Sequence, residues 1–396
     1  MMVRMRARAA LRVAMLAVIT GLIGCADEGS GSTSEAPPFV FRSLKLNQKK
    51  PDGLMDWSLN SPEARYELSR QLVRARDPIA LLYKDGKPSF RVQSDLALVV
   101  NDGEQILLEG DVRLQQLNGA KLLIQGDRLR WQPEQGLLLI EQRPRATDGT
   151  SRIGASEAQL QQRTNDLTLN GVVELERWNE DADASNPDTT LRTGPAQWNL
   201  DTGLLNAQGP VLGQRRDEEG TVLEQLQGQN LRGNTIQGDI TVQAPVNVQI
   251  PREKGVLRAQ DTTWNFREQT IRSEQPFEAD LDEAQIAGGR FRADLNDTTV
   301  DVISDCRIEQ PGEKLTADRC LWNWQSEEVL AEGNVQLLRE ANDQITRASR
   351  LEGRVGEEGL ITFTAPGGKV ESQVRFRSDE QDPSSGRRNQ SAPVEF

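Results

Sequence analysis

The stretch Val329-Leu330-Ala331-Glu332-Gly333-Asn334-Val335-Gln336-Leu337 decides the fold, because its frame, apolar-x-Gly-x-Val-x-apolar, returns along the chain. Leu108-Glu109-Gly110-Asp111-Val112-Arg113-Leu114, Leu169-Asn170-Gly171-Val172-Val173-Glu174-Leu175 and Ile236-Gln237-Gly238-Asp239-Ile240-Thr241-Val242 share it, and Ala207-Gln208-Gly209-Pro210-Val211 keeps part of it. Period-two alternation with β-branched residues is the mark of a strand. A glycine in mid-strand marks either a bulge that bends the sheet or a close approach of another backbone or a ligand; bending is the reading adopted.

A second regularity fixes the register. Trp198 stands eleven residues before Gly209 and Trp322 eleven before Gly333, and Trp131–Gln142, Trp264–Gln275 and Tyr66–Asp77 keep the same spacing. Frame centres fall at 77, 110, 142, 171, 209, 238, 275, 304 and 333, with a degenerate copy near Ala365, at intervals of 29 to 38 residues. That period is the signature of a repeat array. Each unit reads as an aromatic-bearing strand, a polar turn such as Asp201-Thr202-Gly203 and a Gly-centred strand, which amounts to one β-hairpin per repeat. The expected architecture is all-β: an elongated, twisted antiparallel β-jellyroll with an open V-shaped groove.

The first 25 residues read as an export leader. Arg4, Arg6, Arg8 and Arg12 form its basic region, Val13 to Ile23 its apolar core, and Leu22-Ile23-Gly24-Cys25 resembles a bacterial lipobox, with an ordinary signal peptide as the alternative. Lipidation at Cys25 anchors a protein to one leaflet without spanning it. Residues 26–50 read as a flexible tether, the fold begins near Trp57, and the tail over 379–396 reads as disordered. Asn179 to Thr190 is an acidic insertion, and Pro245 to Gly255 a further break.

Composition excludes several functions. The chain of 396 residues carries a formal net charge of −13, which becomes −17 once the four leader arginines are removed. Nucleic-acid binding needs a basic face and is excluded. There is no histidine, so the commonest general base and zinc ligand are missing, and no glycine-rich phosphate loop is present. No cofactor and no metal are expected. Acidic pairs such as Asp127 with Glu141, or Asp294 with Asp305, are what 60 scattered acids produce by chance, and the chain is read as a non-enzyme. Cys306 and Cys320 flank the turn Pro311-Gly312-Glu313-Lys314; a hairpin there brings them together as a disulfide, and buried free thiols are the other reading.

The informative residues are apolar ones that alternate on strands: Val112, Leu114, Leu129, Trp131, Val173, Trp198, Trp264, Val335 and Leu337. In a closed structure they are core. In an open V the same side chains line a groove suited to acyl chains, because apolar contact is all that fatty tails require.

The segment from Trp57 to about Ala146 resembles the LptC family, the periplasmic bridge component of lipopolysaccharide export. The resemblance is carried by Trp57-x-Leu59, Ala64-Arg65-Tyr66, Leu108-x-Gly110-x-Val112 and Asp127-x-Leu129-x-Trp131. Residues 147–378 resemble further copies of the related OstA/LptA-like hairpin unit, so the domains expected are 51–146 and 147–378. The resemblance implies a protein that receives lipopolysaccharide from an inner-membrane ABC transporter and passes it along an apolar groove towards the outer membrane. It also implies LptA-like or outer-membrane jellyroll partners on the sheet edges, with the transporter-facing edge near Trp57 to Leu68 and the partner-facing edge near Leu360 to Phe376. The implied location is the periplasm, with the lipid anchor in the inner membrane. The rival expectation is a structural or adhesive β-solenoid lipoprotein with a filled core and no lipid cargo.

Overall fold

The computed structural model describes residues 39–374 apart from 119–121, 148, 179–185, 283, 341–342, 355–360 and 366–367. The leader, Cys25, most of the acidic insertion and the tail lie outside these residues. The described chain is all-β: 38 strands, all paired antiparallel, and three single-turn 3-10 segments. None of its helices is long and apolar enough to cross a membrane.

The pairing resolves into two long ladders. Sheet 1 begins with Leu44–Lys49, Met55–Ser61, Ile79–Lys84 and Lys87–Gln93, joined in that order. Sheet 2 begins with Phe39–Phe41, Glu63–Glu67, Leu72–Arg76 and Leu96–Val100. The chain makes a hairpin in one sheet, turns a corner, makes a hairpin in the other and returns. A repeat therefore holds two hairpins, one in each sheet, where the sequence suggested one. Corners align along one long side and hairpin turns along the other, so the two sheets are the walls of a fold with a seam and a mouth.

Four long strands join the walls by running through the seam: Gln105–Gln116 with Leu123–Gln132, and Glu328–Arg339 with Gln344–Arg354. Both pairs are interrupted by a register shift at the frame glycines. Gly110 and Gly333 have φ of +76° and +74°, and a Cβ on either would sit 2.3 Å from a carboxylate oxygen, of Asp95 and Asp318 respectively. Those aspartates lie at the neighbouring corner, where their N–H groups donate to the two glycine carbonyls. The mid-strand glycine is thus the residue that lets a strand bend from one wall to the other.

The frame register is corrected at one copy. Gly238 closes a hairpin turn between Leu231–Asn234 and Asp239–Val242, and the corner follows at Gln243-Ala244-Pro245. A turn glycine and a bend glycine both adopt positive φ before an alternating strand, so the two look alike in sequence. The proposed break at Pro245 to Gly255 contains a strand, Val246–Ile250, before a 3-10 turn. Among the described residues the strands begin at Phe39, upstream of Trp57, and Phe39–Phe41 and Leu44–Lys49 are the N-terminal edges. The strands of Trp57 to Leu68 are interior to the ladders, covered on both sides. At the other end Ile361–Thr364 and Glu371–Gln373 are edges. Both ladders cross the residue-146 boundary without a break, since Arg145–Thr147 in sheet 1 and Leu137–Glu141 in sheet 2 each pair on both sides.

Candidate functional site

The space between the walls is set by rows of side chains in continuous register. In sheet 2 one row links Tyr66, Val73, Val99, Ile106 and Trp131 through directly paired positions. It continues through Leu138, Leu160 and Leu167 to Trp198, and then through Leu205, Gly233 and Ile240 to Trp264. Ile271, Ala293 and Val300 carry it to Trp322. An aromatic residue thus occupies every fourth strand, about 19 Å apart at the usual strand spacing. The facing row of sheet 1 has its small members at the same period: Ala80, Ala146, Gly213 and Ala279. Bulk on one wall repeats with small residues on the other, which is how two sheets interdigitate. The eleven-residue spacing in the sequence is one step of this four-strand period.

Burial divides the interior in two. Past the half-buried N-terminal members Tyr66 and Val73, the upstream interior is sealed: Leu59, Leu82, Ile106, Leu129, Trp131, Leu138 and Leu160 are at most 1% exposed. Trp57 and Trp131 meet edge to face at 5.1 Å, and Trp57 stands at the mouth end of its strand. Polar contacts close the mouth above them. Gln162, 1% exposed, donates to the Asp56 and Tyr83 carbonyls, and Lys84 pairs with Asp201 across the two walls.

Downstream the same two rows are less completely buried. Trp198, Leu205, Trp264, Ile271, Val300 and Trp322 on sheet 2, and Leu175, Leu191, Leu226, Val248, Leu257 and Ile286 on sheet 1, are half-buried, while Gly213, Ile240, Ala279 and Ala293 between them are buried. The seam-side positions stay closed, as Ala196, Val211, Val246 and the edge-to-face pair Phe277–Phe291 show. This half-buried stretch of the interior, closed along its seam side, forms a shallow apolar trough between the walls. Its rim is charged: Arg215 pairs with Glu224, Arg339 with Glu313, and the Arg177 guanidinium lies 5.1 Å over the Phe266 ring of the opposite wall.

The residues singled out by sequence divide accordingly. Val112, Leu114, Leu129 and Trp131 are sealed core, Val173, Val335 and Leu337 are seam-side or buried at 7% or less, and Trp198 and Trp264 line the trough. Sequence reasoning missed Leu191, Leu226, Val248 and Leu257, because the glycine frame marks corners and these residues sit in the short strands between them. Cys306 and Cys320 form a disulfide with a Cα–Cα distance of 5.9 Å, but not across a hairpin. Cys306 pairs with Ala317 in sheet 1, and Cys320, past the corner, pairs with Val302 in sheet 2. The bond staples one wall to the other at the seam.

The acidic pairs have structural partners. Glu141 binds Arg130, and Asp294 accepts the N–H groups of Asn296 and Asp297 in its own turn. Among the described residues no three His, Cys, Asp or Glu side chains are grouped to hold a metal. Burial alone would push the Asp201 carboxyl up. Hydrogen bonds from Lys84 and Asn165, with the lysine's charge, outweigh it and hold Asp201 below the ordinary carboxylate range.

Fold and interior together define a class, an all-β jellyroll of stacked antiparallel hairpins around an apolar interior. The model of the LptC family, described as lipopolysaccharide-assembly, LptC-related, matches residues 10–138, the repeats in which the resemblance was read. The match covers less than half of the chain, and the trough lies beyond it. No curated protein matches the chain.

Proposed function

We propose that this protein is a non-enzymatic bridge component of lipopolysaccharide export, anchored through Cys25 in the periplasm, and that its cargo travels in the trough of the downstream repeats. The observation that carries the reading is the change in burial along one continuous pair of rows. A purely structural array gains nothing by leaving Trp198, Leu226, Leu257 and Trp264 half-buried, because burying each fully is worth roughly 1.5–3 kcal/mol. Acyl chains cover such a surface, while the charged rim suits a polar headgroup. The family match supports the cargo and the envelope location. The upstream repeats act as the sealed base that docks on an inner-membrane ABC transporter, and the strand edges at Glu371–Gln373 and Ile361–Thr364 offer unpaired backbone to a jellyroll partner.

The test is photo-crosslinking in cells, with a photoreactive amino acid at Leu226, Leu257 or Trp264. Adducts with lipopolysaccharide that disappear when the transporter's ATPase is disabled are expected. A folded, anchored protein that gives no adduct at any of the three sinks the reading and leaves a structural lipoprotein.

A further inference from the structure

Where the sealed interior gives way to the trough, the mouth carries a polar pocket of about 320 Å³. It lies between the hairpin turn after Lys84 in sheet 1 and the turns at Asn165 and Asp201 in sheet 2. Its lining includes Lys84, Asp85, Lys87, Gln116, Asn165 and Asp201, and every side chain in it carries a polar group.

Asn165 is the telling residue. It is 4% exposed, and its Nδ2 donates to Asp201 at 2.8 Å. A carboxylate accepts only, so this bond fixes the amide orientation. Its buried Oδ1 is left without a partner among the described residues. Asn118 donates its Nδ2 to the Pro88 carbonyl, which leaves its own Oδ1 free to accept. Lys87 is exposed, with no carboxylate within ion-pair distance among the described residues. The pocket thus offers amide and carboxylate acceptors, an amide donor on Gln116 and two ammonium groups, Lys84 paired with Asp201 and Lys87 two residues from the Asp85 carboxylate.

We infer that this pocket binds the phosphorylated saccharide headgroup of the lipid whose chains lie in the trough. Sugar hydroxyls both donate and accept, which matches the mixed amide and carboxylate lining, and Lys87 supplies a charge-assisted bond to a phosphate oxygen. The placement is amphipathic. Asp201 stands three residues after Trp198, the first half-buried aromatic of the row beyond the sealed Trp131, so a head held in the pocket delivers its chains to the start of the trough. This inference rests on the lipid reading above, and it assigns the upstream end of the trough as the place where the headgroup is recognised.

The test uses the full folded protein, ¹⁵N-labelled, with the side-chain amide signals of Asn165, Gln116 and Asn118 assigned. It is titrated with glucosamine 1-phosphate, with glucose and with inorganic phosphate. Glucosamine 1-phosphate should move the Asn165 and Gln116 signals, and Lys87→Ala, an exposed position that leaves the fold intact, should weaken its binding about tenfold, the usual loss for one charge-assisted bond. Equal shifts from inorganic phosphate would reduce the pocket to an anion site and overturn the saccharide assignment. So would the absence of any shift, or binding unaffected by Lys87→Ala. The lipid reading is scored separately by crosslinks at Leu257, so adducts there without saccharide binding would refute this inference alone.

Discussion

Trp131 and Trp264 occupy equivalent positions four-strand periods apart in one row, and the account assigns them opposite roles. Trp131 is fully buried against Trp57, so Trp131→Ala removes a complete core side chain, at a cost of about 3–5 kcal/mol. Loss of the edge-to-face contact adds about 0.5–1.5 kcal/mol beyond buried area. Trp264 is half-buried and meets Phe266 edge to face at the longer distance of 5.9 Å, so Trp264→Ala should cost about 1–2 kcal/mol of transfer energy together with a smaller aromatic contribution. Each hairpin contacts only its neighbours, so such an array opens segment by segment and a single melting temperature averages over the difference. Hydrogen exchange read by mass spectrometry resolves it. Peptides over 123–141 should lose protection about a hundred- to a thousandfold in Trp131→Ala, and peptides over 262–273 about tenfold in Trp264→Ala. Equal losses in the two variants would show that the downstream interior is a filled core, and the reasoning would fail.

Removing the wall-to-wall staple by Cys306→Ser with Cys320→Ser reopens a loop with a sequence separation of 14, worth about 3 kcal/mol in the chain-entropy account. The loss should appear as faster exchange over 306–323, with peptides before residue 170 unchanged. Gly333→Ala meets both a positive φ and the Asp318 carboxylate. The backbone term alone is about 1–2 kcal/mol, and local exchange around the second wall crossing should rise while Gly312→Ala, with open space around its turn, perturbs less. Asp201 is held below the ordinary value of an aspartate carboxyl, so its contribution to mouth closure is present in full above that ordinary value and is lost as pH falls through the lower folded value. Exchange at the Asn165 and Asp201 turns should accelerate there ahead of the sealed strands, and Asp201→Asn should remove that pH dependence.

Much of this arrangement was legible in the sequence for physical reasons. Strand alternation and the aromatic-to-corner interval of eleven survive because the row register cannot slip without turning a side chain to the wrong face. Glycine at 110 and 333 was readable as a bend because only glycine adopts that backbone beside Asp95 and Asp318. Three features were not legible. The second hairpin of each repeat carries no aromatic at a repeated position and no fixed glycine, so it left no periodic mark. Gly238 satisfies a turn with the same residue type that elsewhere makes a corner. The change from sealed core to trough depends on how far the walls stand apart at the mouth, and Trp131 and Trp198 are identical as letters. The polar pocket joins residues 84, 118, 165 and 201, which only the approach of the two walls brings together.

The central claim is that one apolar row is sealed upstream and open to acyl chains downstream. The most direct measurement labels the leucine methyl groups of the intact protein and adds lipopolysaccharide carrying a nitroxide on an acyl chain. The account predicts that the methyl signals of Leu226 and Leu257 broaden while those of Leu138 and Leu160 stay sharp. Broadening of all four, or of none, would contradict it.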